Sequence, residues 1–447
     1  MTMKRSTKLT IMVLAILIVS LLSIMSHGCQ KASVINSPVQ TTTPANQNPA
    51  TSAKPAFSTT QSAATTTAQA EVKTLNIGVV CWLGWPHGLD MFNGIQVMVD
   101  MDNANGGLVI GGERYKINLI SYDSNNSQET EVAAVNKLVY EDKVKFIIAD
   151  GMFDSAWLAT TDQNKVLVAT MGGDYRKNLT PNWKYDFYSC FYNSLTGTLI
   201  GWVCQNRPDL VKNYVMAVPD SMVGHMVSET TGLTWKVFGV TPNYIFYPPS
   251  AQDLSSLGTK VKSLNPSAFG AAGGGTMGDG LAIKAVYTAG YRGQIFCGGT
   301  ATIANLMTIV PEEAIEGFMG GAWPIEFDPA ATQMAADFKA AWIEKHGKWE
   351  GPEVQGVGQY AALKHALQEA GNLDTDKVAA VVFNGMKYES PTGLGMMISR
   401  PDLGNDRTVD SICTTYIKQV KNGQLVVLDT FSMDDAYTLF KKINPVP

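Results

Sequence analysis

Leu75-Asn76-Ile77-Gly78-Val79-Val80 is the stretch that opens the ordered pattern of the chain. Its aliphatic and β-branched side chains predict a buried strand. Apolar residues then recur at helical spacing over 92–99, and Asn105-Gly106-Gly107 ends that helix. A second apolar run at 117–122 predicts another strand. A strand, a helix and a strand in this order predict parallel strands joined by a helical crossover.

The same alternation continues along the chain in two blocks. In the first block, we predict further helices and strands at 128–141, 145–149, 155–163 and 166–169. In the second block, the predicted helices and strands lie at 195–205, 213–218, 223–235, 243–246, 253–263, 268–272, 280–289, 294–297 and 303–309. Three more helices and a hairpin follow at 332–346, 355–370, 375–383 and 413–428, the hairpin turning at Asn422-Gly423. The sequence therefore predicts an α/β fold with two doubly wound, parallel-sheet lobes, between which the chain crosses more than once.

Residues 1–29 have the composition of an export signal. Lys4, Arg5 and Lys8 form a positive segment, an apolar run occupies 9–25, and Gly28-Cys29 follows. This end resembles a bacterial lipobox, in which the cysteine is lipidated, although a serine occupies the usual leucine position. An uncleaved membrane anchor is the alternative, because the apolar run is nearly long enough to span. Both alternatives place the rest of the chain outside the cytoplasmic membrane, in the periplasm or cell envelope.

Residues 30–71 form a linker rich in Thr, Ala, Pro and Ser. Such a segment cannot bury enough apolar surface to offset its ordering entropy, so we predict disorder. The 447-residue chain has 34 basic and 39 acidic side chains, and loss of the signal leaves 31 basic ones. A nucleic-acid partner is not expected, because contacts with phosphates need a basic face.

Cysteine and histidine spacing argues against a metal site. Of the six cysteines, no two form a CxxC pair, and the four histidines after the signal are scattered. Cys190 and Cys204 are the nearest pair, so one disulfide bond and free buried thiols remain alternatives. HExxH, GxSxG and Walker A motifs are absent. We expect no metal, no cofactor and no catalytic residues.

A glycine-rich segment, Gly273-Gly274-Gly275-Thr276-Met277-Gly278, has the spacing of a dinucleotide fingerprint. The acidic residue that should follow about 20 positions later is missing, since Gly298-Gly299-Thr300 stand there. A dinucleotide-dependent enzyme is therefore the weaker alternative. The glycines are better explained by close approach of backbone to another group.

An ordered set of segments carries a resemblance to a known family. The strand at 75–80 and the stretches at 92–96, 102–107, 122–124, 133–138, 288–294 and 415–423 are similar to type I periplasmic binding proteins. The similarity is greatest to the leucine/isoleucine/valine-binding receptors of ABC transporters. This resemblance implies two lobes joined by three crossings, near 191–194, 320–326 and 408–413. It places lobe 1 at 72–191 and 326–408, and lobe 2 at 192–325 and 409–447.

Ligand-binding candidates come from loops at the carboxyl ends of strands, where α/β sheets bind ligands. They are Trp82, Trp85, Phe153, Asp154, Ser155, Gly173, Asp174, Tyr175, Asp220, Met222, Gly274, Thr276, Gly299, Trp323 and Glu326. The backbone N–H groups at Phe153–Ser155 are expected to receive a polar or anionic end of the ligand. A plain helix cap is the alternative for Ser155. Aromatic side chains would hold an apolar body.

The resemblance also exposes a departure. In amino-acid-binding members, a serine and a threonine of the first lobe hold the ligand carboxylate, and an acidic residue of the second lobe pairs with the ammonium. These places fall near Phe153, Gly173–Tyr175 and Gly299. Gly299 supplies no acid, and Gly274 replaces a stacking tyrosine. We therefore expect leucine, isoleucine and valine to bind poorly. Four acids remain as substitutes, unless the ligand lacks an amino group: Asp154, Asp174, Asp220 and Glu326.

The resemblance implies an exported solute receptor that delivers a small molecule to the permease subunits of an ABC importer. Lobe closure at the crossings would bury the ligand. A ligand-sensing extracellular module with a signalling partner is the alternative function.

Overall fold

A computed structural model describes residues 71–171, 183–189, 192–297, 303–400 and 405–443. The predicted signal, most of the linker and Cys29 lie outside these residues. Four candidate site residues also lie outside them: Gly173, Asp174, Tyr175 and Gly299. Within the described ranges, no helix is long and apolar enough to cross a membrane.

The first sheet is built around the strand that opens the pattern. Its strands are β1 (Val72–Cys81), β2 (Leu108–Ile110), β3 (Glu113–Asp123), β4 (Phe146–Ala149), β5 (Leu167–Thr170) and β6 (Asp186–Tyr188). Their order is β2-β3-β1-β4-β5-β6. All neighbours pair in parallel except β2, which runs antiparallel to β3.

The second sheet has seven strands. They are β7 (Tyr214–Pro219), β8 (Asn243–Tyr247), β9 (Ala268–Ala271), β10 (Gln294–Cys297), β11 (Met319–Ala322), β15 (Thr415–Lys421) and β16 (Gln424–Phe431). Their order is β16-β15-β11-β10-β9-β7-β8. Strands β7 to β11 pair in parallel, and β15 pairs antiparallel with both β11 and β16. A small antiparallel sheet contains β12 (Lys387–Ser390), β13 (Gly393–Arg400) and β14 (Asn405–Cys413).

Helices connect the parallel strands and cover both sheets. They are α1 (Pro86–Ala104), α2 (Gln128–Tyr140), α3 (Leu158–Gln163), α4 (Tyr192–Asn206), α5 (Met222–Val237), α6 (Ser255–Leu264), α7 (Gly275–Thr288), α8 (Ile303–Leu306), α9 (Glu312–Ile315), α10 (Gln333–His346), α11 (Gly356–Ala370), α12 (Thr375–Phe383) and α13 (Met433–Ile443). Short 3-10 turns occupy Asp154–Ala156, Pro208–Val211 and Pro324–Glu326.

Each main sheet has an apolar core on both faces. In the first sheet, α1, α10, α11 and α12 pack on one face, and α2 and α3 pack on the other. In the second sheet, α6 to α9 cover one face, and α4, α5 and α13 cover the other. We call each sheet with its covering helices the first lobe and the second lobe.

The predicted α/β class with two parallel-sheet lobes is confirmed. The Asn422-Gly423 hairpin is confirmed as well, with φ of 54° and 70° at the two turn residues. The lobe boundaries and the three crossings stay predictions. The chain leaves β11 in the second sheet and enters the first core at Trp323 and Ile325.

Some local predictions were wrong or incomplete. The helix predicted at 280–289 begins at Gly275, inside the glycine-rich segment. The helix predicted at 155–163 is a 3-10 turn followed by α3. Sequence patterns missed β2, β6, α13 and the small antiparallel sheet.

A buried ion pair ties β15 to the turn that follows β11. Lys418 is 1% exposed, and its Nζ lies 2.5 Å from Glu326 Oε2. The other oxygen of Glu326 accepts the backbone N–H of Trp323 at 2.9 Å. Glu326 therefore holds the chain on both sides of the passage from the second sheet to the first core.

We predict that Lys418→Met lowers the free energy of unfolding by about 2 kcal/mol, because it leaves the partly buried Glu326 carboxylate without its cation. Chemical denaturation measures the change. Lys421→Met, which removes an exposed lysine from the same strand, is the control and should change little. Equal stability of the two variants would contradict this role of the pair.

A second buried carboxylate positions the loop after β4. Glu131 of α2 is 0% exposed. Its Oε1 accepts the Trp157 Nε1–H at 2.7 Å and the Phe153 N–H at 3.3 Å. Burial, together with the negative charge of Asp150, raises the pKa of Glu131 to about 7.

We predict that Glu131→Gln stabilises the protein at pH 8 and has little effect near pH 4. The folded protein holds the Glu131 proton more tightly than the unfolded chain, so stability falls as pH rises from the ordinary pKa of 4.5 towards 7. Glutamine keeps an acceptor oxygen and carries no charge, so the gain at pH 8 should reach about 3 kcal/mol. Denaturation at both pH values tests this, with Glu129→Gln on the exposed face of α2 as control. A pH-independent effect of Glu131→Gln would contradict it.

Candidate functional site

Two loops meet at the carboxyl edge of the first sheet. The connections from neighbouring strands β1 and β4 lead to opposite sides of the sheet, which makes a topological switch point between them. The loop after β1 begins with Trp82, and the loop after β4 begins with Asp150. The Trp82 N–H donates to Asp150 Oδ2 at 2.9 Å. This bond fixes the two loops against each other where α/β sheets open a crevice.

Trp82 and Trp85 form an aromatic stack in the loop after β1. Their ring centroids lie 5.3 Å apart with an interplanar angle of 27°. The Trp85 ring also lies 5.1 Å from the His87 ring and remains 42% exposed. A Cβ added at Gly275 of the second lobe would lie 3.8 Å from Trp85 Cζ2. The stack therefore faces the glycine turn of the second lobe.

Buried polar side chains follow the ends of four strands of the first sheet. Ser124, Asp150, Thr170 and Ser189 stand at or just after the carboxyl ends of β3, β4, β5 and β6, and each is at most 5% exposed. The Ser124 and Ser189 hydroxyls and Oδ1 of Asp150 have no hydrogen-bond partner, whereas the Thr170 hydroxyl lies beside the Asp186 carboxylate. Unpartnered buried oxygens are rare and call for a bound polar group or ordered water. Sequence patterns did not identify this row as a unit.

Burial raises the pKa of Asp150 to about 6, against the opposing effect of backbone N–H groups from Trp82, Met152 and Gly151. Gln359 of α11 completes this edge from the core side. Its Nε2 donates to the carbonyl oxygens of Ala149 and Ala169, while its Oε1 has no partner.

The second lobe has its own switch point, between β7 and β9. The glycine turn, which we define as Gly273–Thr276, follows β9 and starts α7. The Gly274 N–H donates to Asp279 Oδ1 at 3.0 Å, and Asp279 is 2% exposed. Burial raises the pKa of Asp279 to about 7, and the charge of Glu353 acts in the same direction.

Glu353 joins the two lobes. Its Oε2 lies 2.7 Å from His87 Nδ1 in the first lobe, and its Oε1 accepts the Thr276 hydroxyl of the second lobe at 3.0 Å. Beside this contact, Asn305 Nδ2 donates to the Gly351 carbonyl at 3.2 Å. Glu353 was not predicted, because its only sequence signal is a Gly-Pro turn before α11, and His87 was counted among scattered histidines.

Two of the N–H groups at Phe153–Ser155, where we predicted an anion site, already have acceptors within the protein. The Phe153 N–H donates to Glu131, and the Ser155 N–H donates to Asp154 Oδ1 at 2.8 Å. These donors already serve carboxylates of the protein. Ser155 is not a helix cap either, because Phe153 and Trp157 occupy the cap positions. Asp154 is 2% exposed and also accepts the Tyr188 hydroxyl.

The other acids proposed as substitutes are engaged elsewhere. Asp220 is exposed and lies 2.8 Å from His225 Nε2. Glu326 pairs with Lys418. Trp323 is 5% exposed in the first core, with its Nε1–H unpartnered, rather than on an open wall. Met222 begins α5, and its side chain lies outside what the structure describes.

The glycine turn does not present a free helix end for a dinucleotide. The Gly274 N–H already donates to the Asp279 carboxylate. It is therefore not available to donate to a pyrophosphate. Within the described ranges, no three His, Cys, Asp or Glu side chains are grouped to hold a metal ion. Cys81, Cys204 and Cys297 are free thiols, and Cys190 lies outside the described residues.

Solved structures share this architecture. A leucine-binding protein from Thermotoga maritima matches 81% of this chain and 99% of its own, with 20% identity and a TM-score of 0.64. An ABC-transporter solute-binding protein from Rhodopseudomonas palustris, in complex with p-hydroxybenzoic acid, matches 83% and 100%, with 18% identity and a TM-score of 0.65. A branched-chain amino acid binding protein from Streptococcus pneumoniae, in complex with isoleucine, matches 80% and 99%, with 18% identity and a TM-score of 0.61.

The family model described as periplasmic binding protein matches residues 83–423, which cover most of both lobes and include the residues of the contacts between them. The type I resemblance of the sequence is thereby confirmed. This chain belongs to the periplasmic binding protein family.

Proposed function

We propose that this protein binds a small organic ligand with a planar apolar body between its lobes and delivers it to an ABC importer. The observation that carries the proposal is the Trp82–Trp85 stack, which faces the glycine turn of the opposite lobe. An exposed indole beside a glycine backbone leaves a flat surface for an aromatic or other planar group.

The interlobe contacts support ligand capture by closure. Glu353 reaches Thr276 across the lobes, and Asn305 reaches Gly351 beside it. These contacts join loops that lie next to the aromatic stack. Hinge closure of this kind surrounds a ligand and removes it from water.

The polar groups at the carboxyl edge of the first sheet indicate what kind of polar end the ligand has. Ser124, Thr170 and Ser189 supply hydroxyls, and Asp150 supplies an unpartnered acceptor. The N–H groups expected to bind an anion at Phe153–Ser155 are occupied by Glu131 and Asp154. The described edge therefore favours a neutral or positively charged polar end over a carboxylate.

Delivery to permease subunits is proposed from the family membership. The alternative, a ligand-sensing module for a signalling partner, needs the same cleft and differs only in its partner. A neighbouring gene for a permease favours transport, and a neighbouring gene for a membrane kinase favours sensing.

The mature protein is proposed to be held at the outer face of the cytoplasmic membrane by lipid on Cys29. The supporting observation is the apolar run at 9–25 followed by Gly28-Cys29. A flexible linker of about 42 residues would let the lobes range some 30–40 Å from that anchor. An uncleaved anchor would give the same location without lipid.

We predict that native mass spectrometry of protein purified from its own host finds a small ligand with a planar group. Trp82→Ala or Trp85→Ala should weaken its binding about 5- to 150-fold, because one aromatic contact contributes about 1–3 kcal/mol. Titration calorimetry measures the loss. Leucine, isoleucine and 4-hydroxybenzoate serve as comparison ligands, and we expect leucine and isoleucine to bind poorly.

Tyr140→Ala is the matched control for the tryptophan variants. Tyr140 is 56% exposed and ends α2 at the opposite, amino edge of the first sheet. Its loss should leave affinity unchanged. Tight leucine binding that survives both tryptophan substitutions would show that the ligand lies elsewhere.

We predict that Cys29→Ala releases the protein from membranes or blocks its processing. Metabolic labelling with a fatty acid, followed by membrane fractionation, tests this. Cys204→Ala, which removes a free cysteine of α4, is the control and should keep both label and membrane association. A Cys29→Ala variant that is processed and retained like the parent would rule out the lipid anchor.

A further inference from the structure

Glu353 lies at the contact between the two lobes, and the first lobe holds it in place. Its side chain is 11% exposed. Its Oε2 lies 2.7 Å from His87 Nδ1, and its backbone N–H donates to Asp90 Oδ2 at 3.0 Å. Its Oε1 accepts the Thr276 hydroxyl of the second lobe at 3.0 Å. The bond between the lobes therefore ends on a carboxylate that is fixed to one of them.

A second carboxylate faces this contact from the second lobe. Asp279 follows Thr276 by three residues on α7, so the two side chains lie on the same side of the helix. Asp279 is 2% exposed, and its Oδ1 accepts the Gly274 N–H. Burial, and after it the charge of Glu353, raises the pKa of Asp279 to about 7. Closing the lobes thus brings two carboxylates within each other's electrostatic reach.

This approach favours the protonated form of Asp279. The charge of Glu353 acts on Asp279 while the lobes are in contact and weakens when they part, because the two residues belong to different lobes. The closed state therefore binds the Asp279 proton more tightly than the open state. A carboxyl whose pKa is raised in one state stabilises that state at low pH, and the effect is lost as pH rises through about 7.

His87 acts in the same direction. Histidine gains its positive charge between pH 8 and pH 5. A protonated His87 pairs with Glu353 and offsets the charge that Asp279 meets across the lobes. A neutral His87 leaves that charge uncompensated. Both titrations therefore favour closure as the pH falls.

Five further titratable groups surround the contact. They are Asp90, Asp150 and His346 in the first lobe, and Tyr247 and Cys297 in the second. The first three belong to the same lobe as Glu353, so closure leaves their separation from it unchanged. Burial raises the pKa of the Tyr247 hydroxyl and of the Cys297 thiol, so both stay neutral between pH 6 and pH 8.

We propose that Glu353 is a proton-sensitive latch, through which the lobes close more readily at pH 6 than at pH 8. At the higher pH, Glu353 and Asp279 repel each other across the cleft. When Asp279 and His87 are protonated, this repulsion is removed and the bond to Thr276 remains. The inference rests on the lobe closure of the proposed function, and it needs neither the aromatic stack nor the identity of the ligand.

The test measures closure in the ligand-free, full-length protein by single-molecule energy transfer between two fluorophores. They are attached to non-natural amino acids at exposed positions, Tyr140 in the first lobe and Ser256 in the second. The ratio of closed to open protein should be about 3- to 10-fold higher at pH 6 than at pH 8, because raising one pKa by one pH unit on closure changes this ratio up to about tenfold. An equal ratio at the two pH values would overturn the latch.

Three variants separate charge from simple contact. Glu353→Gln and Asp279→Asn each keep a hydrogen-bond acceptor and lose a charge, so each should reduce the pH effect to less than twofold. Thr276→Ala removes the bond and keeps both carboxylates, so it should lower the closed fraction at both pH values and retain the pH effect. A full pH effect in Glu353→Gln or in Asp279→Asn would overturn the latch.

Glu350→Gln is the matched control. Glu350 lies three residues before Glu353, and its side chain is 68% exposed and paired with Lys348 at 2.7 Å. Its loss should leave the parent profile unchanged. A loss of the pH effect in this variant as well would contradict the assignment to Glu353.

The outcomes separate this inference from the proposed function. A flat pH profile in the parent overturns the latch and leaves the calorimetric test of Trp82 and Trp85 standing. Ligand binding that survives both tryptophan substitutions removes the aromatic stack from the proposed function, and the closure profile of the ligand-free protein still decides the latch.

Discussion

Parallel pairing is the constraint on which the rest of the structure depends. Parallel strands all end at the same edge of their sheet, so their outgoing loops must converge there. In each lobe, neighbouring strands send their connections to opposite sides, β1 and β4 in the first and β7 and β9 in the second. The loops therefore part at these points and leave a crevice. The aromatic stack follows β1 and the glycine turn follows β9, so the two crevices carry the groups through which the lobes meet.

Buried carboxylates hold these loops in place. Backbone N–H groups at the ends of parallel strands have no next residue of the sheet to bond, and a nearby acid supplies the acceptor. Asp150 takes the Trp82 N–H, Glu131 takes the Phe153 N–H, and Asp279 takes the Gly274 N–H. Each acid has a raised pKa because burial disfavours its charge. The same residues that shape the cleft therefore keep their protons to a higher pH than exposed acids do.

Local patterns in the sequence predicted most of the fold. Apolar periodicity located the parallel strands and their helices, and Asn422-Gly423 specified its turn because both residues tolerate positive φ. The small sheet of β12 to β14 was missed, since short antiparallel strands of mixed polarity leave a weak period-2 signal. Helix α7 was predicted to start too late, because glycines read as a loop while Asp279 stabilises them as a first turn.

The site was harder to predict, because its groups come from distant parts of the chain. His87 and Glu353 are separated by 266 residues, and no spacing rule connects them. Sequence reasoning proposed Trp82, Trp85 and Thr276 from their places after strands, which topology alone determines. It assigned free N–H groups to the loop after β4, where the structure supplies Glu131 from a helix. Which donor meets which acceptor is decided by tertiary packing and not by local pattern.

The interlobe contacts set a limit on what closure alone can achieve. The described hydrogen bonds that pass between the lobes at this site are those of Thr276 with Glu353 and of Asn305 with Gly351. The neutral bond of Asn305 contributes a net of about 0.5–1.5 kcal/mol and the bond of Thr276 to a carboxylate about 1.5–3 kcal/mol, since water competes for these groups when the cleft is open. Moving a population from 1:99 to 99:1 needs about 5.5 kcal/mol of differential binding. Two bonds bias the equilibrium but leave part of that difference to the ligand, so occupancy of the aromatic site can decide whether the lobes close. A receptor that must release its cargo requires this balance, because lobes held closed by the protein alone would exchange ligand slowly.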